Sequence, residues 1–357
     1  MQQLQRIYVA NLESNDVSVI DTVANTVIAT VPVGRQPGGM AVSPDGARLY
    51  VANSVSGSVS VIETSSNAVV ATITVGAGPS FMTLTPDGTR IYVANSALDN
   101  NSVSVIDAAT NTVLVTVPVG ETPLAISRDG TRVYVANNRG SSVSVIDTAS
   151  NTVVATVGVG AVPSFLVGTP DGSQVYVANR GDDVVSSSNM SAIDTASNTV
   201  VDTITLGMLG AVDISGMIIT PDGTRIYMSA GNTSNSVFVI DTTRNDVVGV
   251  VPVGARDVGA SPGALAVSPD GTRVYVANFF RQSVSVIDTS ILAEVATVQV
   301  GLLPAALLVT SDGARIYVAN MGGNSVSVID TTSNTAVATV AVGRGPRNAV
   351  LVSPSYS

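Results

Sequence analysis

The sequence predicts an all-β protein: one domain, residues 1–357, folded as an eight-bladed β-propeller of four-stranded antiparallel blades. Three observations carry that prediction. A tyrosine opening a "YVAN"-like run recurs at Tyr8, Tyr50, Tyr92, Tyr134, Tyr176, Tyr227, Tyr275 and Tyr317. The successive spacings are 42, 42, 42, 42, 51, 48 and 42 residues, close to the roughly 40 to 50 residues of a four-stranded blade. Each repeat holds four strand-length runs separated by turn chemistry. Finally, the chain starts at the second run of a repeat, and its C-terminal run supplies the missing first one.

The four runs are clearest in the seventh repeat: "GALAVS" (263–268), "RVYVAN" (273–278), "SVSVID" (283–288) and "AEVATVQV" (293–300), here strands A, B, C and D. Between A and B, "SPDG" places Pro and Asp ahead of Gly, the signature of a type I turn. Between C and D, a polar stretch such as "DTASNT" (147–152) makes a second tight connection. Hairpins this short give an antiparallel meander. At the C-terminus "RNAVLVSP" (347–354) matches "GGMAVSP" (38–44), so it becomes strand A of blade one and closes the ring, leaving no open edge.

Composition agrees with thin strands packed sheet on sheet. Hydrophobic residues make up 45% of the chain but aromatics only 4%, and Val, Ala, Thr and Ser dominate, which favours a broad core built from small side chains between sheets. Without cysteine there is neither a disulfide framework nor a thiolate metal site. A net charge of -10 argues against a surface that tracks phosphates, so nucleic acid is not an expected partner. Residues 151–170 carry no charge, but Gly and Pro interrupt them at turn positions. They read as strand, turn, strand rather than a membrane span. The expected state is a monomer, cytoplasmic if the chain is complete and exported if a leader once preceded it.

Strand B begins with Arg and strand C ends with Asp, which puts the two side by side on neighbouring strands. Pairing is therefore expected for Arg6 with Asp21, Arg90 with Asp107, Arg132 with Asp147, Arg225 with Asp241, Arg273 with Asp288 and Arg315 with Asp330. Recurrence in nearly every blade marks these as register-setting pairs, not a catalytic ring. Gln174 and Glu63 are the exceptions.

The runs "PDGTRVYVAN", "SVSVIDT", "NTVVATV" and "VG..P" resemble the YVTN family of β-propeller repeats, with "YVAN" where that family often has "YVTN". The resemblance covers essentially the whole chain and implies a propeller. That family commonly shows seven blades, whereas eight B strands occur here. Similar propellers include surface-layer proteins, lactonases, lyases and haem-binding domains, so fold alone does not choose an activity. Eight-bladed quinone-dependent dehydrogenases typically sandwich their cofactor with tryptophan and cysteine, and this chain has neither.

Length variation points to one face. From the Asp of "PDG" or its variants to the strand-B tyrosine the distance is always five residues, and from the end of strand C to the glycine ending strand D it is always thirteen. The B-to-C connection, by contrast, gains two residues in blade three, five in blade five and one in blade six. The D-to-A connection loses two after blade three and gains four and five after blades five and six. Because strands alternate in direction, the fixed turns share one face and the variable loops share the other. Variable loops on a rigid scaffold are where repeat proteins place binding.

The unusual loops cluster in adjacent blades. They are "NRGDDVVSSSNMS" (179–191), "GMLGAVDISGM" (207–217), "GARDVGASPGA" (254–264) and "NFFRQS" (278–283). Together they present Arg180, Asp182, Asp183, Asp213, Arg256, Asp257, Phe279, Phe280 and Arg281, aromatics beside a few converging charges, as a ligand pocket or interaction patch has. A second candidate set lies near the central channel: the "PSF" runs assigned to blades two and four, with Phe81 and Phe165, and Arg347. Packing between blades explains these equally well.

The available chemistry is narrow. With no histidine, Ser-His and Cys-His triads, histidine-ligated haem and ordinary zinc sites are excluded. Calcium at Asp182, Asp183 and Asp213 lacks a "DxDxDG" loop, and neither metal nor cofactor is expected. The leading expectation is a binding propeller that takes a small molecule or protein partner on the variable face of blades five to seven. The alternatives are a histidine-free lyase, isomerase or lactonase-like enzyme, with catalytic candidates Asp182, Asp183, Asp213, Asp257 and Arg256, and a surface-layer or adhesion module.

Overall fold

The computed structural model describes residues 5–98, 100–128, 130–182, 187–206, 213–231, 235–254 and 260–353. Among these, thirty-two strands form eight four-stranded antiparallel sheets. Within each sheet the order is A-B-C-D. The A strands of neighbouring sheets touch in an unbroken circuit, so A is innermost and D outermost. Closure follows the expected route: Pro346–Val352 pairs with Arg6–Asn11, setting Val352 opposite Arg6 and Ala349 opposite Val9.

Burial follows from position in the ring. Strands B and C have neighbouring blades on both faces, and their side chains are buried almost throughout, as in Arg48–Asn53 and Ser58–Glu63. Strand D alternates between exposed and half-buried positions at the rim, as in Thr26–Pro32. The core lies between sheets rather than within one. Tyr8, Ala10, Val17 and Val19 of blade one pack against Met40, Leu49, Val51 and Ile62 of blade two. Each such aliphatic side chain contributes about 1.5–3 kcal/mol when buried.

The two fixed turns are held by aspartates. In the A-to-B turn of blade two, Asp45 Oδ1 accepts the Ser43 hydroxyl at 2.5 Å and the Ala47 N–H at 3.0 Å. In the C-to-D turn of blade one, Asp21 accepts the N–H groups of Val23 and Ala24, both at 2.8 Å. That turn ends on Asn25 at φ 52°, a left-handed conformation that asparagine tolerates better than most residues.

At four joints this asparagine also locks one blade to the next. The strand-B tyrosine reaches across the joint and donates its hydroxyl to it: Tyr8 to Asn67 Oδ1 at 2.7 Å, Tyr92 to Asn151 at 2.7 Å, Tyr176 to Asn245 at 2.7 Å, and Tyr317 to Asn25 at 2.8 Å. At the joint of blades two and three, Asn111 Oδ1 is buried without a hydrogen bond. In blade seven the corresponding residue is Leu292, at φ 51°. The Tyr227 hydroxyl facing it is buried without a hydrogen bond. The neighbouring Arg225 guanidinium offsets part of the upward pKa shift that burial causes there, but its own hydrogen bond goes to the Thr289 carbonyl at 2.6 Å.

The Arg–Asp expectation needs correction at this point. The register is as anticipated, with Arg6 opposite Asp21 and Arg90 opposite Asp107. The direct ion pair forms in blade seven, Arg273 Nη1 to Asp288 Oδ2 at 2.5 Å. In five blades the guanidinium crosses to the next blade and donates to a backbone carbonyl just past its strand C: Arg6 to Thr64 at 2.7 Å, Arg48 to Ala108 at 2.5 Å, Arg225 to Thr289 at 2.6 Å, Arg90 to Thr148 and Arg132 to Thr195. Arg315 makes neither contact among the described residues. The carbonyls lie at the joint within reach of the long side chain and compete with the carboxylate for it. Engagement of the carboxylate in its turn does not by itself decide the outcome, since Asp288 accepts the Ser290 N–H and hydroxyl and still takes Arg273.

Candidate functional site

On the loop face, each strand B except that of blade six ends in a fully buried asparagine that plugs the blade beneath its loops. Asn53 donates to Ser58 at 3.2 Å and Ser60 at 3.0 Å, and Asn278 donates to Ser283 at 3.0 Å and Ser285 at 2.8 Å. The linker arriving from the preceding blade must pass directly over this amide. A Cβ added to Gly34 would sit 2.6–2.7 Å from Asn53 side-chain atoms, so the glycine ending strand D is a packing requirement.

Blade six breaks the pattern. Ala230 replaces the asparagine and Phe238 replaces a serine of strand C. Here the plug is apolar: Tyr176, Met190, Met228 and Phe238 form one cluster, with Phe165 and Met217 packed against it. The expectations from sequence did not include this joint, although "YMSA" and "SVFVID" in place of "YVAN" and "SVSVID" signal it.

The phenylalanine pair lies next to that joint, on the loop joining strands B and C of blade seven. Phe279 and Phe280 stack edge to face, with ring centroids 5.1 Å apart and planes at 80°, a favoured aromatic geometry. Phe280 is 60% exposed, while Phe279 is half-buried beneath it. Backbone hydrogen bonds fix the loop: the N–H of Phe279 donates to the Ser261 carbonyl at 3.2 Å and that of Phe280 to Ala260 at 3.3 Å.

The described candidates fall into two groups. Gly231 donates its N–H to the Asp213 carbonyl at 2.8 Å, and a Cβ placed on Gly231 would lie 3.3 Å from Ser261 Oγ. Asp213 and Phe279 therefore stand on one continuous arc across blades six and seven. Arg180 and Asp182 sit one blade away. There the Arg180 N–H donates to Val162 at 3.1 Å and the Arg180 carbonyl accepts the Ser188 hydroxyl. Arg281 closes the phenylalanine loop, its N–H donating to Asn278 at 3.1 Å. Asp183, Arg256 and Asp257 lie outside the described residues.

The axial set also needs a correction. The "PSF" runs belong to the innermost strands of blades three and five, Pro79–Leu84 and Pro163–Gly168, not to blades two and four. Each run follows strand D of the earlier blade in sequence but pairs with strand B of the next. Phe81 is 44% exposed at the axis, whereas Phe165 is half-buried against the apolar plug of blade six. Arg347 is exposed near the start of the innermost strand of blade one.

Clefts occur on the other face. One of about 600 Å³ is lined by Asp45, Arg48, Gly88, Thr89 and Ala108, and another of about 390 Å³ by Asp171, Gln174, Gly223, Thr224 and Thr242. These are the same repeat positions in different blades, so the clefts are grooves that recur with the turns. Their carboxylates are engaged: hydrogen bonds from Ser43 and then from the Ala47 N–H hold Asp45 below the ordinary carboxylate pKa. Asp288, bonded first by the Ser290 side chain, is brought down to about 2. Among the described residues no three His, Cys, Asp or Glu side chains are grouped to hold a metal ion.

The architecture defines the class: an eight-bladed β-propeller with one face of repeated turns and one of irregular loops. Comparison with known proteins agrees with that class and with the YVTN-like character of the repeats. Residues 64–162, from the end of strand C of blade two through blade four, match the family described as lactonase, 7-bladed beta-propeller. No curated protein matches the chain in sequence. Among solved structures, hydrazine synthase of Kuenenia stuttgartiensis is 25% identical, over 83% of this chain and 95% of that one, with a TM-score of 0.66. The dihydro-heme d1 dehydrogenase NirN, solved in complex with DHE, is 17% identical over 98% of this chain and 75% of its own, with a TM-score of 0.80. Apo AztD from Citrobacter koseri is 17% identical over 99% and 98%, with a TM-score of 0.71. At 17% identity the last two establish a shared fold. No helix among the described residues is long and apolar enough to cross a membrane.

Proposed function

We propose that this chain is a binding propeller that captures a small molecule or a protein partner on its loop face, in the sector of blades five to seven. The observation that carries the proposal is the exposed Phe280, braced edge to face by Phe279 on a loop that holds no aromatic residue in any other blade. A solvent-facing aromatic on a hydrogen-bonded loop beside an apolar joint supplies contact area at low ordering cost. Arg180, Asp182 and Asp213 supply polar contacts at the edge of the same sector. Nothing favours the enzyme reading over this one: the described carboxylates whose pKa shifts all shift downward, and they sit in the turns of the opposite face. That is opposite in sense to a general base poised near neutrality.

The test is a ligand screen by thermal shift on wild type and on the variant Phe279→Gly, Phe280→Ser, Arg281→Ser. A ligand of this sector raises the melting temperature of wild type and loses most of that effect in the variant. Ligands that stabilise both proteins equally would overturn the assignment.

A further inference from the structure

The opposite side of the loop face carries a feature of another kind. Arg344 and Arg35 stand at the same position of the two linkers flanking blade one ("GRGP" and "GRQP"), and Arg347 follows three residues after Arg344 on the innermost strand of that blade. All three are exposed, and none of their guanidiniums has a hydrogen bond or ion pair among the described residues.

The loop of blade one braces them into one arc. Glu13 donates its N–H to the Arg344 carbonyl at 3.0 Å, and the Arg344 N–H donates to Ser14 Oγ at 2.9 Å. On the other side Asn15 Oδ1 accepts the N–H of Gln36, next to Arg35, at 2.8 Å. Beside Arg347, Asn348 donates to the Gly38 carbonyl at 3.1 Å. Two carboxylates are near. Glu13 is exposed but pairs with none of the three, and Asp16 accepts the Asn11 amide at 2.6 Å.

This arc opens toward the axis. None of the eight innermost strands contains Asp or Glu, although the chain has a net charge of -10. Next to the strand of Arg347 comes that of Gly38, where an added Cβ would meet nothing within 4 Å. The strand after that presents the exposed ring of Phe81. A cation, a gap and an aromatic ring thus follow one another at the mouth of the ring.

We infer that this mouth binds a small organic anion, with Arg347, flanked by Arg344 and Arg35, holding a carboxylate while the gap over Gly38 seats a flat apolar body against Phe81. Guanidinium matches carboxylate in planar, two-point fashion. Among the described residues, the acids nearest the mouth beyond blade one, Glu121 and Asp213, stand on the linkers into blades four and six rather than on the strands beside Arg347, so the positive potential there is left uncancelled locally. This site is separate from the phenylalanine sector of blades five to seven and does not depend on it.

The probe is 2-naphthoate, titrated calorimetrically at fixed ionic strength, with inorganic phosphate as the second arm. Wild type binds 2-naphthoate. Arg347→Gln weakens it by about tenfold and Phe81→Ser by about fivefold, as expected for losing a charged contact and an aromatic one. Arg139→Gln, an exposed arginine on the same face in blade four, leaves binding unchanged. All the substituted residues are exposed, and unchanged melting temperatures confirm that the variants fold. Absence of binding by wild type, equal weakening by Arg139→Gln and Arg347→Gln, or phosphate binding as tightly as 2-naphthoate with no effect of Phe81→Ser would each overturn the inference.

Discussion

The joint between blades three and four and the joint between blades six and seven are built from the same strands, yet they are fastened differently. In the first, Tyr92 donates to Asn151 and Arg90 to the Thr148 carbonyl. In the second, Arg225 makes the equivalent contact with Thr289, but Tyr227 faces Leu292 and its hydroxyl is left bare. Leu292 instead adds apolar contact to the cluster holding Tyr227, Val239 and Leu265. The difference teaches that the latch is modular: one blade exchanges a hydrogen bond for apolar packing without losing the fold. It falls beside the sector where loop lengths and plug chemistry also depart from the repeat.

The largest effect expected from breaking this comparison comes from the plug shared by the regular joints. Gly34→Ala drives a methyl group into the Asn53 amide, and overpacking of that kind costs about 1–3 kcal/mol, measured by urea unfolding. Next comes the latch itself. Tyr92→Phe removes a made hydrogen bond and costs about 1 kcal/mol, whereas Tyr227→Phe removes a buried unsatisfied hydroxyl and is neutral or stabilising. Leu292→Asn sharpens the contrast. It places an amide opposite Tyr227 and a residue suited to φ 51° in the turn, so a gain of about 1 kcal/mol is expected. A loss in that variant would show that the apolar packing of Leu292 outweighs the latch.

Titration provides a third line. Turn hydrogen bonds lower the carboxyl pKa of aspartates such as Asp45, Asp171 and Asp330, and bring Asp288 to about 2, so the contribution of these groups is present above about pH 4 and is lost as pH falls through the folded values. Burial raises the tyrosine hydroxyls, Tyr176 and Tyr317 to about 12, so their contribution holds below pH 10 and is lost as pH rises toward 12. Melting temperature plotted against pH is therefore flat from about pH 5 to 9 and falls on both sides. Asp288→Asn makes the acid limb shallower.

The smallest effect on stability belongs to the loop face. Phe279→Gly, Phe280→Ser, Arg281→Ser changes the unfolding free energy by about 1 kcal/mol or less, since Phe280 is mostly exposed and Phe279 only half-buried. The same change is expected to remove binding in that sector.

What the sequence discloses follows the range of the interaction. Strand registers, ring closure and the division into fixed and variable faces are legible because each is set within one repeat or by its period. The destinations of Arg6, Arg90 and Tyr92 are not, because their partners lie 58, 58 and 59 residues away in the next blade, a distance that no pattern within a repeat encodes. Sequence order alone puts the "PSF" strands one blade early for a related reason: they follow one blade along the chain, and only pairing assigns them to the next. At the candidate site the phenylalanines stood out by composition. The apolar plug of Ala230 and Phe238 shows itself when blade six is compared position by position with its neighbours.

Crystals soaked with a mixture of small fragments test the division of the two faces most directly. The account predicts that fragments collect on the loop face, at Phe280 and at the mouth beside Arg347 and Phe81, and leave the turn-face grooves empty. Repeated occupancy of the groove lined by Asp45, Arg48 and Thr89, with the loop face bare, would contradict it.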